Sequence, residues 1–598
     1  MKKRLMCTLP MIALISAVLP SCGSKTYDKE GVILYTNDVH CAVGYSEVDP
    51  ISGNALSGNP QMGYGVVASL KKENQLKYGQ DNVYLVDNGD HLQGGVYGTL
   101  SNGEDIVNAM NAAHYDLAIP GNHEFDYGMD HFLDLANNVA EYEYLSANFV
   151  HEGKTVFNPY RIAEIAGRKV AFIGATTPDT YTSSTPKYFQ DENGKYIYNF
   201  SEGDTRDGKA LYETLQNTIN EVKKKKKADL VVLMAHLGID DVNSPYMSTD
   251  VIKNTSGLDV VLDGHSHSTL VKNKVKDKDG KQVILTSTGT KLENVGVLKL
   301  NKDGSINTEL VHHISDQRDF DAKVRIDNIV DQTDKKTSEV FAKTNFALTV
   351  NDSATGNRRV RKAETNMGDL AADAYQAAEG VDFAFINGGG VRATIEKGNI
   401  TLKQVLSVHP FSNKYESYKA KGEDILNFLE HSAKDIPVTT GTSQVSFDKV
   451  DGKVPGEFGG FLQCSRGIKY SIDTTVPTPV QIDKDKLFVK VEGTRRVHNV
   501  QVATEYDGNG VPTKYVALDP NKEYTFGCIG YVVEDFGDGH AAFAGGKAKK
   551  VTQIQKFDWE VLIDYYSSFA KTDGVPVVPK KYEAPEGQGR IVFEKRAA

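Results

Sequence analysis

Five of the 15 histidines lie in short polar blocks that directly follow segments typical of buried strands. Four blocks contain these histidines, and a fifth block is acidic and has none. The histidine blocks are Asp38-Val39-His40, Gly121-Asn122-His123-Glu124-Phe125-Asp126, Ala235-His236-Leu237-Gly238 and Asp263-Gly264-His265-Ser266-His267, and the acidic block is Asp87-Asn88-Gly89-Asp90. Each block alone is a weak signal. The carboxyl ends of strands are the expected place for a site in an open α/β sheet. Together the blocks therefore predict one shared site.

The residue types in these blocks predict a metal centre. The ligand candidates are Asp38, His40, Asp90, Asn122, His236, His265 and His267. Carboxylate, imidazole and amide groups suit Zn²⁺, Mn²⁺, Co²⁺ or Mg²⁺, and the set holds no thiolate of the kind that structural zinc sites use. Seven candidates are too many for one tetrahedral ion, and they suit two ions about 3.5–4 Å apart that share a bridging carboxylate. Such a pair is suited to in-line hydrolysis of a phosphate ester.

An alternation of strands and helices positions the blocks. The predicted strands are Val32–Thr36, Val83–Val86, Leu117–Ile119, Val170–Ile173, Leu230–Met234, Val260–Leu262 and Val283–Thr286. Helical patterns cover Tyr64–Leu76, Ile106–Ala113 and Leu211–Lys227. This rhythm is typical of an α/β layered domain.

The second half of the chain changes character. Val324–Phe341 is charged and helix-forming, and we interpret it as a linker helix. An α+β region follows, in which Thr365 is the predicted N-cap of a helix over Asn366–Glu379. Asp382–Ile386 is a predicted strand, and Glu423–Lys434 is another helix.

The composition excludes several classes of protein. Length alone suggests two to four domains of roughly 150 residues for the 598 residues. Hydrophobic residues make up 40% and charged residues 25%, which excludes a fibrous or wholly disordered chain. The net charge of −11 disfavours a partner that is a nucleic-acid polymer, and we interpret the run Lys223–Lys227 as a solvated helix end. Five cysteines are too few for a disulfide framework, so Cys41, Cys464 and Cys528 are expected to be free thiols or buried packing residues.

The amino terminus has the features of a signal peptide. A basic stretch, Lys2-Lys3-Arg4, precedes the apolar core Leu9–Leu19. Leu19-Pro20-Ser21-Cys22-Gly23 then resembles a bacterial lipobox, which predicts that Cys22 carries a lipid anchor. Cleavage and secretion without a lipid is the alternative. No later run is long and apolar enough to predict a membrane span.

The five blocks resemble those of the calcineurin-like metallophosphoesterases, and Thr36-Asn37-Asp38 together with Gly121–Asp126 is similar to their 5′-nucleotidase branch. A second set of motifs is similar to the carboxy-terminal nucleotide-binding domain of that branch: Glu364-x-Asn366-Met367-Gly368, Ile386–Arg392, Pro410-Phe411 and Gly537-Asp538-Gly539. The resemblance implies a four-layer α/β sandwich followed by a linker helix and a smaller α+β domain. The expected segments are a signal peptide (1–21), a tether (22–30), a catalytic domain (31–318), a linker helix (319–346) and a substrate-specificity domain (347–598).

The resemblance also implies roles in the first domain. Asp38, His40 and His267 would hold one metal ion, and Asn122, His236 and His265 would hold the other. Asp90 would bridge the two ions. His123 would stabilise the transition state or protonate the leaving oxygen, with Asp126 orienting its ring. The alternative for Asp126 is that it only caps the following helix.

In the second domain, the resemblance implies that Arg361 and Arg392 neutralise phosphate, that Asn387 binds the nucleoside and that Asp538 binds a ribose hydroxyl. A base would stack between Phe411 and a second aromatic ring. The family pattern is one residue longer here, and Phe536 stands where a glycine is usual, so Tyr531 is the predicted second ring and Phe536 the next candidate. Phe411 could instead be a core residue, and Arg361 could be solvated.

These residues predict a lipid-anchored enzyme of the bacterial cell envelope, facing the periplasm or the cell surface, that hydrolyses nucleoside 5′-monophosphates. A 2′,3′-cyclic phosphodiesterase/3′-nucleotidase and a pyrophosphatase for UDP-sugars or NAD are the enzymatic alternatives. A surface nucleotide-binding lipoprotein without a catalytic role is the alternative from another class. The expected partners are a nucleotide, two divalent metal ions and a membrane.

Overall fold

The structure is a computed structural model, and it describes residues 25–46, 61–240, 243–312, 319–450, 454–508 and 510–596. Cys22 and the predicted signal peptide lie outside these residues. In the part of the chain that is described, no helix has the length and apolar character needed to cross a membrane. This part forms two α/β domains joined by a long helix.

The first domain is built on two six-stranded sheets. Its strands are β1 (Gly31–Thr36), β2 (Val83–Asp87), β3 (Leu117–Ala118), β4 (Glu143–Tyr144), β5 (Val150–His151), β6 (Lys154–Thr155), β7 (Tyr160–Ile165), β8 (Arg168–Thr176), β9 (Tyr198–Asn199), β10 (Leu230–His236), β11 (Val260–Leu262), β12 (Thr269–Lys276), β13 (Gln282–Thr288), β14 (Val295–Leu300) and β15 (Ile306–Val311). One sheet has the order β15-β14-β1-β2-β3-β4, and the other has the order β12-β13-β11-β10-β8-β7. All of the strands predicted for this domain are therefore confirmed.

Helices cover the outer faces of both sheets. They are α1 (Gly63–Tyr78), α2 (Val96–Ser101), α3 (Glu104–Ala112), α4 (Met129–Asp134), α5 (Thr180–Ser183), α6 (Lys209–Asn220) and α7 (Ser248–Asn254). Side chains alternate along β1, so that Ile33 lies in the apolar cluster between the sheets and Leu34 lies in the cluster under the helices. The layers are helix, sheet, sheet and helix, which confirms the predicted α/β sandwich.

The polar blocks meet because their strands are parallel neighbours within each sheet and the two sheets pack face to face. β1 pairs in parallel with β2, and β2 with β3; β10 pairs in parallel with β11. Parallel neighbours end on the same side of a sheet, so the loops that follow them lie together.

The linker helix α8 spans Phe320–Thr337, and the Asp319 carboxylate caps it by accepting hydrogen bonds from two backbone N–H groups. The helix has the length of the predicted range Val324–Phe341, but it begins and ends four residues earlier. From Val340 the chain forms strand β16 (Val340–Thr344), which pairs with a strand of the second domain at Thr401. Strand pairing overrides the helical propensity of this stretch.

Among the described residues, the second domain has one large apolar core and a small separate cluster of Ala363, Phe447 and Val454. Its helices are α9 (Asn366–Glu379), α10 (Leu402–Val408), α11 (Gly422–Ser432), α12 (Gly530–Val533) and α13 (Asp558–Ser567). After β16 its strands are β17 (Phe383–Asn387), β18 (Gly398–Thr401), β19 (Tyr415–Lys421), β20 (Leu462–Cys464), β21 (Ile468–Ile472), β22 (Val480–Ile482), β23 (Phe488–Val491), β24 (Val497–Tyr506), β25 (Pro512–Ala517), β26 (Glu523–Ile529), β27 (Lys549–Lys550), β28 (Lys571–Thr572), β29 (Val575–Pro576) and β30 (Ile591–Phe593). The largest sheet has the order β20-β17-β26-β19-β27. The predicted N-cap is present, since the Thr365 hydroxyl accepts a hydrogen bond from Gly368 N at 3.1 Å.

The two domains are in direct contact. Leu406 on α10 is buried in the apolar cluster of the first domain. Thr99 Oγ1 donates a hydrogen bond to Pro410 O at 2.7 Å, just before the predicted base-stacking residue Phe411. The second domain is therefore held against the edge of the first domain that carries the polar blocks.

Candidate active site

Two groups of ligand-type side chains lie at that edge. The groups are Asp38, His40 and His267, and Asp90, His236 and His265. Within each group, one candidate ligand atom per residue lies within 4.8 Å of the others. Asn122 joins the second group, because its Oδ1 lies 2.9 Å from Nδ1 of His265. The structure thus brings together every metal ligand that the sequence predicted.

Asp90 lies between the two groups. Its Oδ2 is 3.1 Å from Nε2 of His236 and 3.8 Å from Nε2 of His40. Its Oδ1 accepts a hydrogen bond from the backbone N–H of His123 at 2.9 Å. A carboxylate in this position can serve a cation on either side.

The hydrogen bonds of two histidines test whether the site suits cations. His40 Nδ1 lies 2.8 Å from Gln93 O, and His236 Nδ1 lies 2.7 Å from Asn88 O. A ring nitrogen that faces a carbonyl must carry the proton, so in the neutral rings both Nε2 atoms hold lone pairs. Nε2 of His40 faces Nε2 of His267 at 3.0 Å, and Nε2 of His236 is buried and faces Asp90 Oδ2 at 3.1 Å. Inward-facing lone pairs of this kind fit bound cations.

The protonation equilibria of His40 and His265 support the same conclusion. Burial lowers the pKa of His40 and of His265 to about 3 in each case, so both rings are neutral and can offer lone pairs. For His236, burial disfavours the charged ring, but the carboxylates of Asp90 and Asp38 raise its pKa to about 10, so a bound cation would have to displace the Nε2 proton. Burial also raises the pKa of the Asp38 carboxyl to about 8. Positive charge beside Asp38 would therefore keep it ionised at neutral pH.

The backbone is strained at most of these ligands. Positive φ angles occur at Asp38 (50°), His40 (44°), Asp90 (60°), His265 (74°) and His267 (51°). For residues other than glycine this region costs of order 1–3 kcal/mol each and is often found at functional sites. The fold maintains this strain where it directs the ligand side chains towards one another.

Glu124 holds the loop of Asp90 and the loop of Asn122 together through hydrogen bonds. The sequence did not predict this role. The buried Glu124 carboxylate accepts backbone hydrogen bonds from Asp90 and His91 at 2.8 Å each, and a third from Gly121. A Cβ atom at Gly121 would lie 2.3 Å from Asp90 Oδ1, so only glycine allows the two loops to approach this closely. Glu124 is a positioning residue.

His123 and Asp126 form the predicted pair. His123 Nδ1 lies 2.6 Å from Asp126 Oδ2, and Ser184 Oγ donates a hydrogen bond to Asp126 Oδ1 at 2.9 Å. Burial disfavours the charged ring, but the carboxylates of Asp126 and Asp90 raise the pKa of His123 above its ordinary value. The pair therefore has a geometry suited to proton transfer.

Three arginines of the second domain lie close to one another, and burial, His40 and the charges of two of them, Arg358 and Arg392, lower the pKa of His267. Arg361 and Arg392 were predicted, and Arg358 was missed because it lies in a basic run that resembles a solvated surface. The positive charge of Arg361 is the main cause that lowers the pKa of Arg358 to about 10. Burial and the charges of Arg361 and Arg358 lower the pKa of Arg392. The carboxylates of Asp126 and Asp90 act in the opposite direction. Guanidinium groups that crowd one another in this way favour a bound anion.

Asn387 and Asp538 lie side by side. Asn387 Nδ2 donates a hydrogen bond to Asp538 Oδ2 at 3.0 Å, while Oδ1 of Asn387 is buried without a partner among the residues described. A Cβ atom at Gly388 would lie 2.2 Å from Val360 O, so this glycine lets the loop of Asn387 approach the loop of Arg361. The two predicted nucleoside-binding residues thus lie next to the arginines.

The aromatic residues have different surroundings. The Phe411 ring lies 6.0 Å from the His123 ring, and the Arg392 guanidinium lies 5.6 Å from the Phe411 centroid. Tyr531 packs over Gly537, and its hydroxyl donates a hydrogen bond to Thr182 O of the first domain at 3.3 Å. Phe536 has a positive φ of 57° and packs partly against the second-domain core. The pairing of Phe411 with Tyr531 stays a prediction.

Two families match the chain. Calcineurin-like phosphoesterase matches residues 31–269, and the 5′-nucleotidase C-terminal domain matches residues 340–545. The first match contains all of the metal-ligand candidates, and the second contains the three arginines and the predicted nucleoside-binding residues.

Individual proteins are similar over most of this chain. The snake venom 5′-nucleotidase of Gloydius brevicauda is 28% identical over 527 residues, which are 80% of this chain and 83% of that protein. The trifunctional nucleotide phosphoesterase protein YfkN of Bacillus subtilis (strain 168) is 26% identical over 565 residues, and this chain spans 36% of its length. The 5′-nucleotidase precursor of Thermus thermophilus superposes with a TM-score of 0.71 at 25% identity, over 95% of this chain and 100% of that one.

Proposed function

Because the chain belongs to the 5′-nucleotidase family of metallophosphoesterases, we propose that it hydrolyses nucleoside 5′-monophosphates to a nucleoside and inorganic phosphate. The single observation that carries this substrate is the arginine cluster Arg358, Arg361 and Arg392, in which the guanidinium charges act on one another and Arg392 also acts on His123 of the first domain. A terminal phosphate has the charge and the three oxygens to satisfy such a cluster.

Asp38, His40 and His267 would hold one cation, and Asn122, His236 and His265 would hold the other, with Asp90 between them. Divalent cations in this position supply positive charge that polarises a phosphoryl oxygen and lowers the pKa of water. Glu124 keeps the loops of Asp90 and Asn122 in register through its backbone hydrogen bonds.

Around the phosphate, each side chain has a separate task. Arg361 and Arg392 would bind its oxygens, and Arg358 would add charge from the same side. His123 would stabilise the developing charge or donate a proton to the leaving oxygen. Asp126 fixes the tautomer of His123 by accepting a hydrogen bond from Nδ1–H.

The remainder of the substrate would lie on the second domain. Asn387 and Asp538 would hydrogen-bond the nucleoside, and Phe411 and Tyr531 would stack on the base. A substrate that is bound by both domains needs them side by side, and the hydrogen bond from the Tyr531 hydroxyl to Thr182 O is one contact that holds them so.

A substrate panel on the purified protein, loaded with Mn²⁺, Zn²⁺ or Co²⁺, tests this function. It contains AMP, UMP, 3′-AMP, 2′,3′-cyclic AMP, ATP, UDP-glucose and NAD, with phosphate release as the readout and EDTA-treated protein as the control. We expect the highest kcat/KM for AMP and UMP, and no release after EDTA. Preference for 2′,3′-cyclic AMP, 3′-AMP or a diphosphate bond would replace the proposal with the corresponding family activity, and binding without hydrolysis would support a nucleotide-binding lipoprotein.

We further propose that Cys22 carries a lipid anchor and that the enzyme acts outside the cytoplasm, on the basis of the sequence Leu19–Gly23. Fractionation of cells that express Cys22→Ser tests the anchor. We expect the variant to leave the membrane fraction with unchanged specific activity. A Cys22→Ser protein that stays with the membranes would exclude the anchor at this residue.

A further inference from the structure

One short segment of the first domain touches the catalytic groups on one side and the second domain on the other. This coupling segment is Asp179–Ser184, which contains helix α5. Tyr181 anchors it in the first domain, where this residue is 2% exposed and its hydroxyl donates a hydrogen bond to Tyr198 O at 2.9 Å. The segment is therefore attached to the first domain through Tyr181, while its other residues can contact the active site and the second domain.

Towards the active site, the coupling segment makes two contacts. Ser184 Oγ donates a hydrogen bond to Asp126 Oδ1 at 2.9 Å, the carboxylate oxygen that does not face His123. Asn122 Nδ2 donates to Ser183 O at 3.4 Å, which leaves Oδ1 of Asn122 pointing towards His265. The segment thus orients the partner of His123 and one metal-ligand candidate.

Towards the second domain, the same segment forms an ion pair and a hydrogen bond. Lys486 Nζ lies 2.9 Å from Asp179 Oδ2, and the Tyr531 hydroxyl donates to Thr182 O at 3.3 Å. Next to them, Arg206 Nε lies 2.6 Å from Asp485 Oδ1, and its guanidinium lies 5.3 Å from the Tyr181 centroid. The first three contacts join the first domain to the second. The contact with the Tyr181 ring holds Arg206, which forms one of these three contacts.

The loop of Lys486 also supports the predicted nucleoside-binding residue. A Cβ atom at Gly539 would lie 2.5 Å from Lys486 O, and Gly539 directly follows Asp538. The Lys486 loop therefore packs on the Asp538 loop while its ammonium group pairs with Asp179. A chain of contacts therefore runs from Asp538, which would bind the nucleotide, through Lys486 and Asp179 to the segment that contains Ser184.

We propose that the coupling segment transmits closure of the second domain to the catalytic pair, with Ser184 as the positioning residue for Asp126. The inference rests on the proposed function, because it concerns the same His123–Asp126 pair. In this structure the ion pair and the Tyr531 hydroxyl hold the segment, and Ser184 and Ser183 contact Asp126 and Asn122. When the domains separate, these restraints on the segment are lost.

Hydrogen exchange of the full, Mn²⁺-loaded chain tests the coupling without any assay of catalysis. The amides of Thr182, Ser183 and Ser184 all donate backbone hydrogen bonds within the segment. We expect faster exchange of these amides in Lys486→Met than in the wild type. Lys419→Met is the matched control, since it removes an ion pair of the same length, to Glu523 at 2.9 Å, within the second domain. Equal exchange in Lys486→Met, Lys419→Met and wild type would overturn the proposal.

Kinetics with p-nitrophenyl phosphate test the positioning role of Ser184 separately from nucleotide preference. Loss of one hydrogen bond predicts that Ser184→Ala lowers kcat about 2- to 10-fold with unchanged KM and metal content, and that Ser184→Thr restores it. An unchanged kcat in Ser184→Ala, or a loss that Ser184→Thr does not restore, would overturn the positioning role. If the wild type hydrolyses phosphate esters but not nucleotides, the proposed substrate fails while the coupling stands.

Discussion

His123 and Asp126 are joined by a 2.6 Å contact between Nδ1 and Oδ2, and Ser184 occupies the second carboxylate oxygen. The carboxylate therefore has little freedom to turn. It holds the proton on Nδ1, so that Nε2 of His123 is left for the substrate. The metal groups lie beside this pair, since Asp90 accepts a hydrogen bond from the His123 backbone.

Removing the imidazole should impair catalysis without removing metal. We expect His123→Ala to lower kcat by about 10²–10⁴-fold, the range for a general acid or base, while both metal ions are retained. Asp126→Asn should give a smaller loss, since the ring remains but its tautomer is no longer fixed. Steady-state kinetics together with metal analysis of the same samples measures both effects. A His123→Ala protein with wild-type kcat would exclude the pair from the reaction.

Changing the carboxylate between the two groups should remove bound metal, in contrast to His123→Ala. Asp90→Asn should lower the occupancy of both metal ions, because Asp90 lies near His236 of one group and His40 of the other. Metal content per chain after dialysis is the measurement, with His123→Ala as the control that keeps both ions. Retention of both ions at wild-type affinity would contradict a bridging position.

Substitution of the aromatic residues should weaken substrate binding only for substrates that carry a base. If Phe411 and Tyr531 stack on the base, replacing either by alanine removes roughly 1–3 kcal/mol of stacking. The KM for AMP should rise, whereas the KM for p-nitrophenyl phosphate should change little. A raised KM in Phe411→Ala but not in Tyr531→Ala would identify Phe536 as the next candidate, and equal effects on both substrates would exclude a base clamp.

A buried ion pair near the carboxyl end of the chain should control the stability of the second domain. Arg590, which is 4% exposed, binds both oxygens of Asp373 at 2.9 Å each. Arg590→Met leaves the Asp373 charge buried and unpaired, which predicts a loss of about 3–5 kcal/mol in unfolding free energy. Urea unfolding followed by the single tryptophan, Trp559, measures it.

The control for that prediction is Arg495→Met, which removes the pair with Glu423, a residue that is 53% exposed on its side chain. An exposed pair should contribute no more than about 1 kcal/mol. Equal losses in Arg590→Met and Arg495→Met would show that burial of the Arg590 pair has no special effect.

The metal-ligand set could be predicted from the sequence because each ligand directly follows a strand. Parallel pairing brings the ends of β1, β2 and β3 to one edge of the first sheet and the ends of β10 and β11 to one edge of the second. Packing of the two sheets on one another then brings these edges together. The role of Glu124 could not be predicted in this way, since its carboxylate binds backbone N–H groups, and backbone donors have no sequence signature. Arg358 was hidden in a basic run whose orientation depends on the packing of the second domain.

The remaining differences have similar causes. Val340–Thr344 resembles the end of a charged helix, but it forms a strand because β18 is available as a partner. The contact between Tyr531 and Thr182 joins residues 349 positions apart, and no local pattern predicts it. Local sequence thus determines which groups can react, whereas tertiary packing determines which neighbours hold them in place.

The most direct test of the account is a titration of metal-free protein with Mn²⁺, in which bound metal and release of phosphate from AMP are measured on the same samples. The two groups around Asp90 predict that binding saturates at two ions per chain and that kcat reaches its maximum only when the second ion is bound. Full activity with one ion per chain, or activity in the complete absence of metal, would contradict a dinuclear hydrolytic site.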